Sequence, residues 1–380
     1  RENNNYRNRT GGLSLGYSDE STFSWDIAAG YKDDDYGLPG DLPPGVDREI
    51  SLAPNDSASS KDEYVRLVPE LDLGSNGSLS LAMNYRQLER EWFYTALGAG
   101  DYRLTEYGVS PKYTGDLELF GFMNSLSMGV DLAVSNLNAV NFYLGDAYRR
   151  ETGYYVFDKI EVIPDSLYLD LGYRRSRFHY DYNNYDDIAF SVTSTAAGLT
   201  YRYKDGSKVF ISFDRAFRTQ LLEELGGPFG ANVPLSKPQI SRHYQAGIQH
   251  HFGKMLTASV TLFRIDTKNE ILYNGTIWQN ENYDATLRDG AEIELTSRPA
   301  ENLSLSLNYT WIDATFDGGT PQLDGNELPG VATHSAGASI HYEVIDNLTA
   351  TLTGNWVKDN RASSDQLNAI GDDWDGNEYT

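Results

Sequence analysis

Hydrophobic and polar residues alternate along most of this chain. Between residues 302 and 316, leucines and aromatic residues fill the odd positions up to Trp311, and small polar residues separate them. The same period of two recurs at 77–91, 165–180 and 348–358. Because successive side chains of a strand point to opposite faces, each segment predicts a β-strand with one apolar and one polar face.

The length of these segments separates two kinds of β-protein. A soluble sandwich shows the same alternation, but its strands average about 5–6 residues. The alternating segments here run about 10–15 residues, and a tilted strand needs about 9–11 residues to cross the hydrocarbon of a membrane. Strand length therefore favours a membrane-spanning barrel.

Short turns and long polar stretches follow one another along the chain. Short turns are predicted near 18–21, 74–77, 114–116, 164–165, 204–207, 252–254, 298–301 and 346–347. The long stretches are 32–62, 91–101, 136–150, 181–188, 215–240, 267–282 and 317–332. The predicted strands are 8–17, 22–31, 63–73, 78–90, 102–113, 122–135, 151–163, 166–180, 189–203, 208–214, 241–252, 255–266, 283–297, 302–316, 333–345 and 348–358. Antiparallel strands with short turns at one end and long loops at the other are typical of outer-membrane barrels, so we predict an all-β transmembrane antiparallel barrel of about 16 strands.

Composition agrees with this fold. The chain has 380 residues, 13% aromatic residues and a mean hydropathy of −0.50. No apolar run approaches the roughly 18 residues of a transmembrane helix, whereas a barrel exposes only alternate residues to lipid. The formal net charge of −24 argues against a nucleic-acid partner. The absence of cysteine excludes disulfides and thiolate metal sites.

Five stretches resemble, in order, the signatures of TonB-dependent outer-membrane receptors. They are 213–225, 235–247, 262–271, 288–295 and 328–331, and the N-terminal part adds 35–40. The resemblance covers the whole chain, more loosely before residue 200. It implies a 22-stranded barrel with a plugged lumen. The order of short turns and long loops fits strands four to nineteen, so residues 1–380 are expected to form an internal part of that barrel, without the N-terminal plug.

The resemblance also implies a function. Receptors of this family sit in the outer membrane of Gram-negative bacteria, bind a scarce nutrient complex and import it into the periplasm with energy that TonB transmits to the plug. A ferric siderophore is the expected ligand, and outer-membrane lipid and lipopolysaccharide are expected neighbours. The positions that match the heme-receptor motifs are 217–220 and 232–235, and no histidine lies between them. We therefore expect a ferric siderophore as the ligand ahead of heme. Heme, cobalamin, another metal chelate or nutrient, and a passive outer-membrane channel stay open as alternatives.

Candidate ligand-binding residues follow from strand faces and from the predicted loops. On the strand 78–90 the residues from Leu79 to Tyr85 face lipid, so Arg86 and Arg90 face the lumen near its outer mouth. The same reasoning places Arg174, Tyr180 and His243 inside, while Arg218, Tyr273 and Trp278 fall in predicted long loops. A guanidinium offers a planar fork to ligand oxygens, and aromatic rings stack on flat ligands. The structural alternatives are that such arginines hold the plug and that such aromatics form the interface girdle.

Catalysis is not expected. No nucleophile elbow or metal-binding helix motif occurs, so we predict no enzyme activity, no catalytic residue, no cofactor and no metal site. The acidic run 372–378 has the composition of a calcium loop but not its twelve-position spacing, and we expect a solvated loop that faces lipopolysaccharide.

Overall fold

A computed structural model describes residues 3–19, 22–40, 51–96, 98–140, 145–183, 185–225, 237–274, 279–361 and 365–369. Within these residues the chain forms sixteen β-strands and two short 3-10 turns, at Gly74–Asn76 and Leu222–Leu225. The strands are β1 (Tyr6–Ser18), β2 (Phe23–Gly37), β3 (Ser57–Asp72), β4 (Ser78–Tyr94), β5 (Gly98–Leu119), β6 (Phe122–Val140), β7 (Ala147–Ile163), β8 (Leu167–Tyr182), β9 (Tyr185–Lys204), β10 (Ser207–Arg218), β11 (Gln239–Phe252), β12 (Leu256–Asn274), β13 (Gln279–Ala300), β14 (Leu303–Phe316), β15 (His334–Ile345) and β16 (Leu348–Val357). The predicted number of strands is confirmed. Across the described ranges, no helix has the length and apolar character to cross a membrane.

Each strand pairs with its neighbours in sequence. The sixteen strands form one sheet in the order β1 to β16, and the pairings are antiparallel. Antiparallel strands can be joined by tight turns, which the chain supplies at one edge of the sheet. The turn Asp205–Gly206, where both residues have positive φ, is one example.

The strands reach further into the predicted loops than the sequence suggested. β5 and β13 each contain 22 residues. Only residues 95–97 lie between β4 and β5, only 183–184 between β8 and β9, and only 275–278 between β12 and β13. The predicted long loops 91–101, 181–188 and 267–282 are therefore mostly strand. Beyond the hydrocarbon both faces of a strand can be polar while the backbone ladder continues, so the alternation that signals a strand disappears there.

One predicted turn is misplaced. The stretch 114–116 lies inside β5, which continues to Leu119. The reversal occurs instead at Phe120 and Gly121, whose φ angles of 55° and 83° are both positive. A polar Thr-Gly-Asp sequence thus resembles a turn but is held in the ladder with β6.

The two faces of the sheet differ in what they carry. The outer face presents apolar side chains such as Leu262, which is 59% exposed. The inner face holds buried polar groups, including Ser241 and Thr267, whose hydroxyl oxygens lie 3.0 Å apart. On β14, Ser306 faces inward, where its Oγ lies 2.7 Å from Oγ of Ser339, and Leu305 faces outward. This division is what a barrel wall between lipid and an aqueous lumen requires.

Candidate ligand site at the loop end of the lumen

Arg86 lies on the inner face of β4 and is held by carboxylates from both neighbouring strands. Its Nη2 and Nε donate to the two carboxylate oxygens of Asp62 on β3 at 2.8 and 3.0 Å. Its Nη1 lies 3.4 Å from Oε2 of Glu106 on β5. The planar fork of the guanidinium matches the carboxylate of Asp62, so Arg86 ties three strands together.

A second network crosses β6, β7 and β8. Arg174 on β8 is paired with Asp131 on β6, and its Nη2 lies 3.1 Å from Oε1 of Glu151 on β7. The other oxygen of Glu151 accepts a hydrogen bond from Nη2 of Arg149 at 2.9 Å. Two arginines thus share two carboxylates, and their positive charge is balanced within the wall.

Aromatic side chains line the inner face above this network. We name Phe178, Tyr180, Tyr182 and Phe190 the aromatic cluster. Phe178, Tyr180 and Tyr182 follow one another at every second position of β8 and are almost completely buried. Their rings and that of Phe190 lie 5.5–6.5 Å apart between centroids. The guanidinium of Arg149 lies 5.3 Å from the ring centroid of Phe178, which places a cation over an aromatic face.

The chain after β10 turns into the lumen and covers this cluster. We name residues 219–225 the inward segment. The backbone oxygen of Gln220 accepts a hydrogen bond from Oη of Tyr180 at 3.0 Å, and Nε2 of Gln220 donates to Oη of Tyr182 at 2.8 Å. Leu222 is 2% exposed against the same cluster. On the opposite side, Nδ2 of Asn280 on β13 donates to the backbone oxygen of Glu224 at 2.9 Å. The inward segment therefore links β8 with β13.

The end of β10 explains this path. β10 pairs with β9 only as far as Arg215, although it stays paired with β11 up to Arg218. Freed from β9, Phe217 reaches Phe178, with ring centroids 5.9 Å apart. Arg218, the last residue of β10, then pairs with Glu224 in the inward segment, so this ion pair holds the segment against the end of β10.

An arginine without a carboxylate partner lies beside the inward segment. Arg90 on β4 is exposed, faces inward and forms no ion pair in the part of the chain that the structure describes. It lies opposite Tyr102 in the β4–β5 register, and the rings of Tyr102 and Trp92 lie 6.0 Å apart. Burial raises the pKa of the Glu223 carboxyl, and the nearby charge of Arg90 opposes that rise. Arg90 therefore offers a positive charge, and Trp92 and Tyr102 offer aromatic surface, to a ligand at the mouth of the lumen.

The predicted site residues fall into three groups. Arg86, Arg90, Arg174, Tyr180 and His243 all lie on the inner face, as their positions in the alternation predicted. The placement of Arg218 and Tyr273 in loops was wrong, since Arg218 ends β10 and Tyr273 lies in β12. Trp278 lies outside the described residues, as does the acidic run 372–378. Contact of any of these residues with a ligand stays a prediction.

The structure also brings forward residues that the sequence did not single out. They are Trp92, Tyr102, Arg149, Tyr182 and Gln220. All except Gln220 share the inward-facing positions of their strands. Tyr102 lies within the predicted strand 102–113, and the alternation would have found Trp92, Arg149 and Tyr182 if their strands had been extended far enough. No local pattern marks Gln220. Among the residues that can be described, no cluster of three or more metal-ligating side chains occurs.

A comparison with known protein families identifies the family to which this fold belongs. The family described as TonB dependent receptor-like, beta-barrel matches residues 1–379. The chain belongs to this family. TonB-dependent receptor barrels are outer-membrane proteins of Gram-negative bacteria, so the outer face of the sheet meets lipid.

Curated relatives are about a quarter identical to this receptor barrel over the aligned residues. It is 25% identical over 228 residues to the ferrioxamine B receptor of Salmonella typhimurium strain SL1344, a match that covers 58% of this chain and 31% of the relative. It is 24% identical over 236 residues to the probable TonB-dependent siderophore receptor PiuA of Acinetobacter baumannii, covering 54% of this chain and 31% of the relative. The matches thus span less than a third of each relative.

Solved structures show the same fold. The ferric citrate transporter FecA, in its unliganded form, superposes with a TM-score of 0.79 at 17% identity, over 94% of this chain and 58% of FecA. BauA, the ferric preacinetobactin receptor from Acinetobacter baumannii, gives a TM-score of 0.76 at 13% identity, over 95% of this chain and 63% of BauA. At such identities the likeness establishes the architecture of the receptor barrel and not its ligand.

Proposed function

We propose that the protein containing this barrel imports a ferric siderophore across the outer membrane with energy transmitted by TonB. In this proposal the chain supplies sixteen strands of a larger barrel, and TonB acts through a plug in the lumen. The observation that carries the proposal is the pair of curated relatives named as siderophore receptors. The activity is transport, so it requires no catalytic residue and no cofactor of the barrel.

The chemistry of the inner face supports this function. A ferric siderophore presents iron wrapped in oxygen donors, and many such complexes carry negative charge or flat aromatic groups. A guanidinium that is not tied up in an ion pair can bind such oxygens, and aromatic rings can stack on the ligand. Arg90, Trp92 and Tyr102 combine both features at the mouth. Arg86 and Arg174 are already neutralised by carboxylates, so we assign them to the wall rather than to the ligand.

Uptake of radiolabelled iron tests the proposal. The full-length gene would be expressed in cells that lack their own siderophore receptors, with and without TonB. Ferrioxamine, ferric citrate, a ferric catecholate and ferric pyoverdine would be supplied in turn. We expect TonB-dependent uptake of at least one chelate. TonB-independent leakage of small solutes would contradict the proposal and favour a passive channel, and TonB-dependent uptake of heme or cobalamin alone would replace the siderophore.

Arg90 provides a test of the site. Arg90→Gln should weaken the apparent affinity for an anionic chelate about tenfold, because a charged hydrogen bond to the ligand is lost. Arg103→Gln is the matched control, since Arg103 faces outward on β5, where its Nη2 lies 2.7 Å from Oε1 of Glu89. Equal effects of the two substitutions would show that Arg90 does not contact the ligand.

A further inference from the structure

Two prolines lie inside central strands of the sheet. Pro69 is in β3 and Pro111 is in β5, and each strand continues on both sides of its proline. Proline has no N–H to donate to a ladder, so in sheets it is normally confined to edge strands, strand ends and bulges. Neither β3 nor β5 is at an edge of the sheet. We therefore asked what the two prolines do to the pairing of their strands.

Each proline coincides with a gap in one ladder. The pairings missing from the described strands are Val68–Ala82 and Pro69–Leu81 in β3–β4, and Ser110–Asp131 and Pro111–Val130 in β5–β6. The register is the same above and below each gap, so neither gap is a bulge. At the same level, the ladders β2–β3 and β4–β5 are unbroken.

The unbroken ladders show which way each backbone points. In an antiparallel sheet the N–H and C=O of one residue face one neighbouring strand, and those of the next residue face the other. Since only the β3–β4 ladder is broken at Pro69, the backbone of Pro69 faces β4 and that of Leu81 faces β3. Likewise Pro111 faces β6 and Val130 faces β5. The carbonyl oxygens of Leu81 and Val130 therefore receive no hydrogen bond from the prolines opposite them, which weakens both ladders inside a membrane wall.

The two gaps border one hairpin at one level. Leu81 lies opposite Pro69 in the register of β3 and β4, and on its other side it pairs with Pro111. We name the pair β4 and β5 the bracketed hairpin. Within it every residue of β4, from Ser78 to Tyr94, is paired with β5. The hairpin is therefore continuous within itself and interrupted on both of its borders.

Other irregularities of the described ladders differ from these gaps. Register shifts occur next to turns or at the ends of strands, for example between Ser297 and Ala300. The ladder β12–β13 lacks a single pairing, that of Asn269 with Asp284, where Asn269 has a φ of 53°. No other ladder in the described ranges lacks two successive pairings while keeping its register.

Side chains hold the borders of the hairpin on the long-loop side of the gaps. Arg86 on β4 pairs with Asp62 on β3, as described above. Oγ of Ser135 on β6 donates a hydrogen bond to Oε1 of Glu106 on β5 at 3.1 Å. Both contacts lie on the inner face, and each crosses one of the two interrupted borders.

We propose that the bracketed hairpin is a movable element of the barrel wall, which shifts against β3 and β6 by opening its two borders at the level of Leu81. Local opening draws on the least protected part of a structure, and each border lacks a hydrogen bond at that level. The hairpin also carries Arg90, Trp92 and Tyr102, so its shift would move the candidate ligand site relative to the inward segment. This last step rests on the proposed function, whereas the mobility of the hairpin does not.

Residue-resolved hydrogen exchange of the full-length receptor in lipid vesicles tests the mobility without a ligand. The amide of Leu81 faces the border with β3, and that of Ala82 faces β5 inside the hairpin, so two adjacent amides at one depth can be compared. After correction for intrinsic rates, Leu81 should exchange at least about fivefold faster than Ala82. Val130, which faces the other border, should likewise exchange faster than Asp131, which faces β7.

Restoring the missing donors is the second step. Pro69→Val/Pro111→Val returns an N–H to each border and should slow the exchange of Leu81 and Val130 about fivefold. Leu67→Val/Val109→Leu is the matched control, because it changes side chains two positions away on the same strands and leaves every N–H in place. If the double variant does not assemble, Pro69→Val alone should slow only Leu81, and Pro111→Val alone should slow only Val130.

Uptake of the chelate that the parent transports tests the use of this motion. The valine pair should lower the maximal rate of TonB-dependent uptake at least about threefold, while chelate binding to cells without TonB stays within about twofold of the parent. Equal exchange of Leu81 and Ala82 in the parent would contradict the movable hairpin, and unchanged exchange in the valine pair would contradict the role of the prolines. Slowed exchange with undiminished uptake would show that transport does not use the motion. A parent that takes up no chelate would refute the proposed function and leave the exchange result standing.

Discussion

Arg174 and Arg175 are adjacent in β8 but meet opposite environments. Arg174 faces inward, where it pairs with Asp131 and Glu151 and donates from Nε to Oγ of Ser176 at 3.0 Å. Arg175 faces outward and is exposed, with no ion pair to any described residue. A step of one residue along a strand therefore decides whether a guanidinium is paired within the wall or is exposed without an ion pair to a described residue.

Several other arginines of the inner face are paired as Arg174 is, although Arg90 forms no ion pair with a described residue. On the inner face, Arg288 of β13 places Nη2 2.6 Å and Nη1 3.0 Å from the two carboxylate oxygens of the buried Glu270. Arg86 and Arg149 have carboxylate partners as well. On the outer face of β7 to β11, Arg150, Arg175, Arg177, Arg215 and Arg242 form no ion pair with a described residue.

The largest expected effect tests the assignment of faces itself. Leu305→Arg on β14 would place a charge against lipid, which costs roughly 2–4 kcal/mol near the middle of the membrane. Ser306→Arg, one residue away, points into the lumen and should be tolerated far better. Heat-modifiability of the purified protein and its yield in outer membranes measure assembly. Similar behaviour of the two variants would show that the faces are assigned wrongly.

The two arginines of β8 give the next largest difference. Arg174→Ala leaves the carboxylates of Asp131 and Glu151 with reduced compensation, and we expect it to lower the free energy of unfolding by about 1–3 kcal/mol. Arg175→Ala removes no ion pair and should change that free energy by less than about 0.5 kcal/mol. Denaturant unfolding of the receptor in lipid vesicles would measure both. A cost of Arg175→Ala as large as that of Arg174→Ala would remove the distinction between the faces.

Which side chains face the lumen and which face outward could be predicted from the sequence, because the alternation is a local pattern along each strand. The inward placement of Arg86, Arg174 and Tyr180 followed from the leucines that precede them on the same strands. The sixteen strands were likewise predicted and confirmed. The 22-stranded whole and the identity of the ligand stay predictions.

Two features of the site could not be predicted from the alternation of apolar and polar residues. The extra length of β7, which contains Arg149, lies where both faces are polar, so the signal of a strand is missing. The inward segment depends on a contact between Tyr180 and Gln220, which lie 40 residues apart in the chain. Such contacts depend on how far β10 departs from β9, and this departure has no local sequence signature.

A smaller effect is expected at the contact between the inward segment and the aromatic cluster. Tyr182→Phe leaves Nε2 of Gln220 without its acceptor, and Oε1 of Gln220 already has no hydrogen-bond partner within the described chain. Loss of one such bond costs about 1 kcal/mol, which should raise the opening of residues 219–225 about fivefold. Hydrogen exchange of their backbone amides measures opening. Tyr173→Phe, on the outer face of the same strand, is the control and should leave the exchange unchanged.

The smallest expected effect is a dependence of that opening on pH. Burial raises the pKa of the Glu223 carboxyl above its ordinary value of 4.5. The docked segment therefore holds a proton more tightly than the released one, and docking is most favoured below pH 4.5. The preference declines as the pH rises through the raised pKa, because the docked carboxylate must then ionise while buried. Exchange of amides 219–225, corrected for intrinsic rates, should accelerate from pH 4.5 to 7 in the parent but not in Glu223→Gln. A variant that keeps the full pH dependence would show that another group controls the segment.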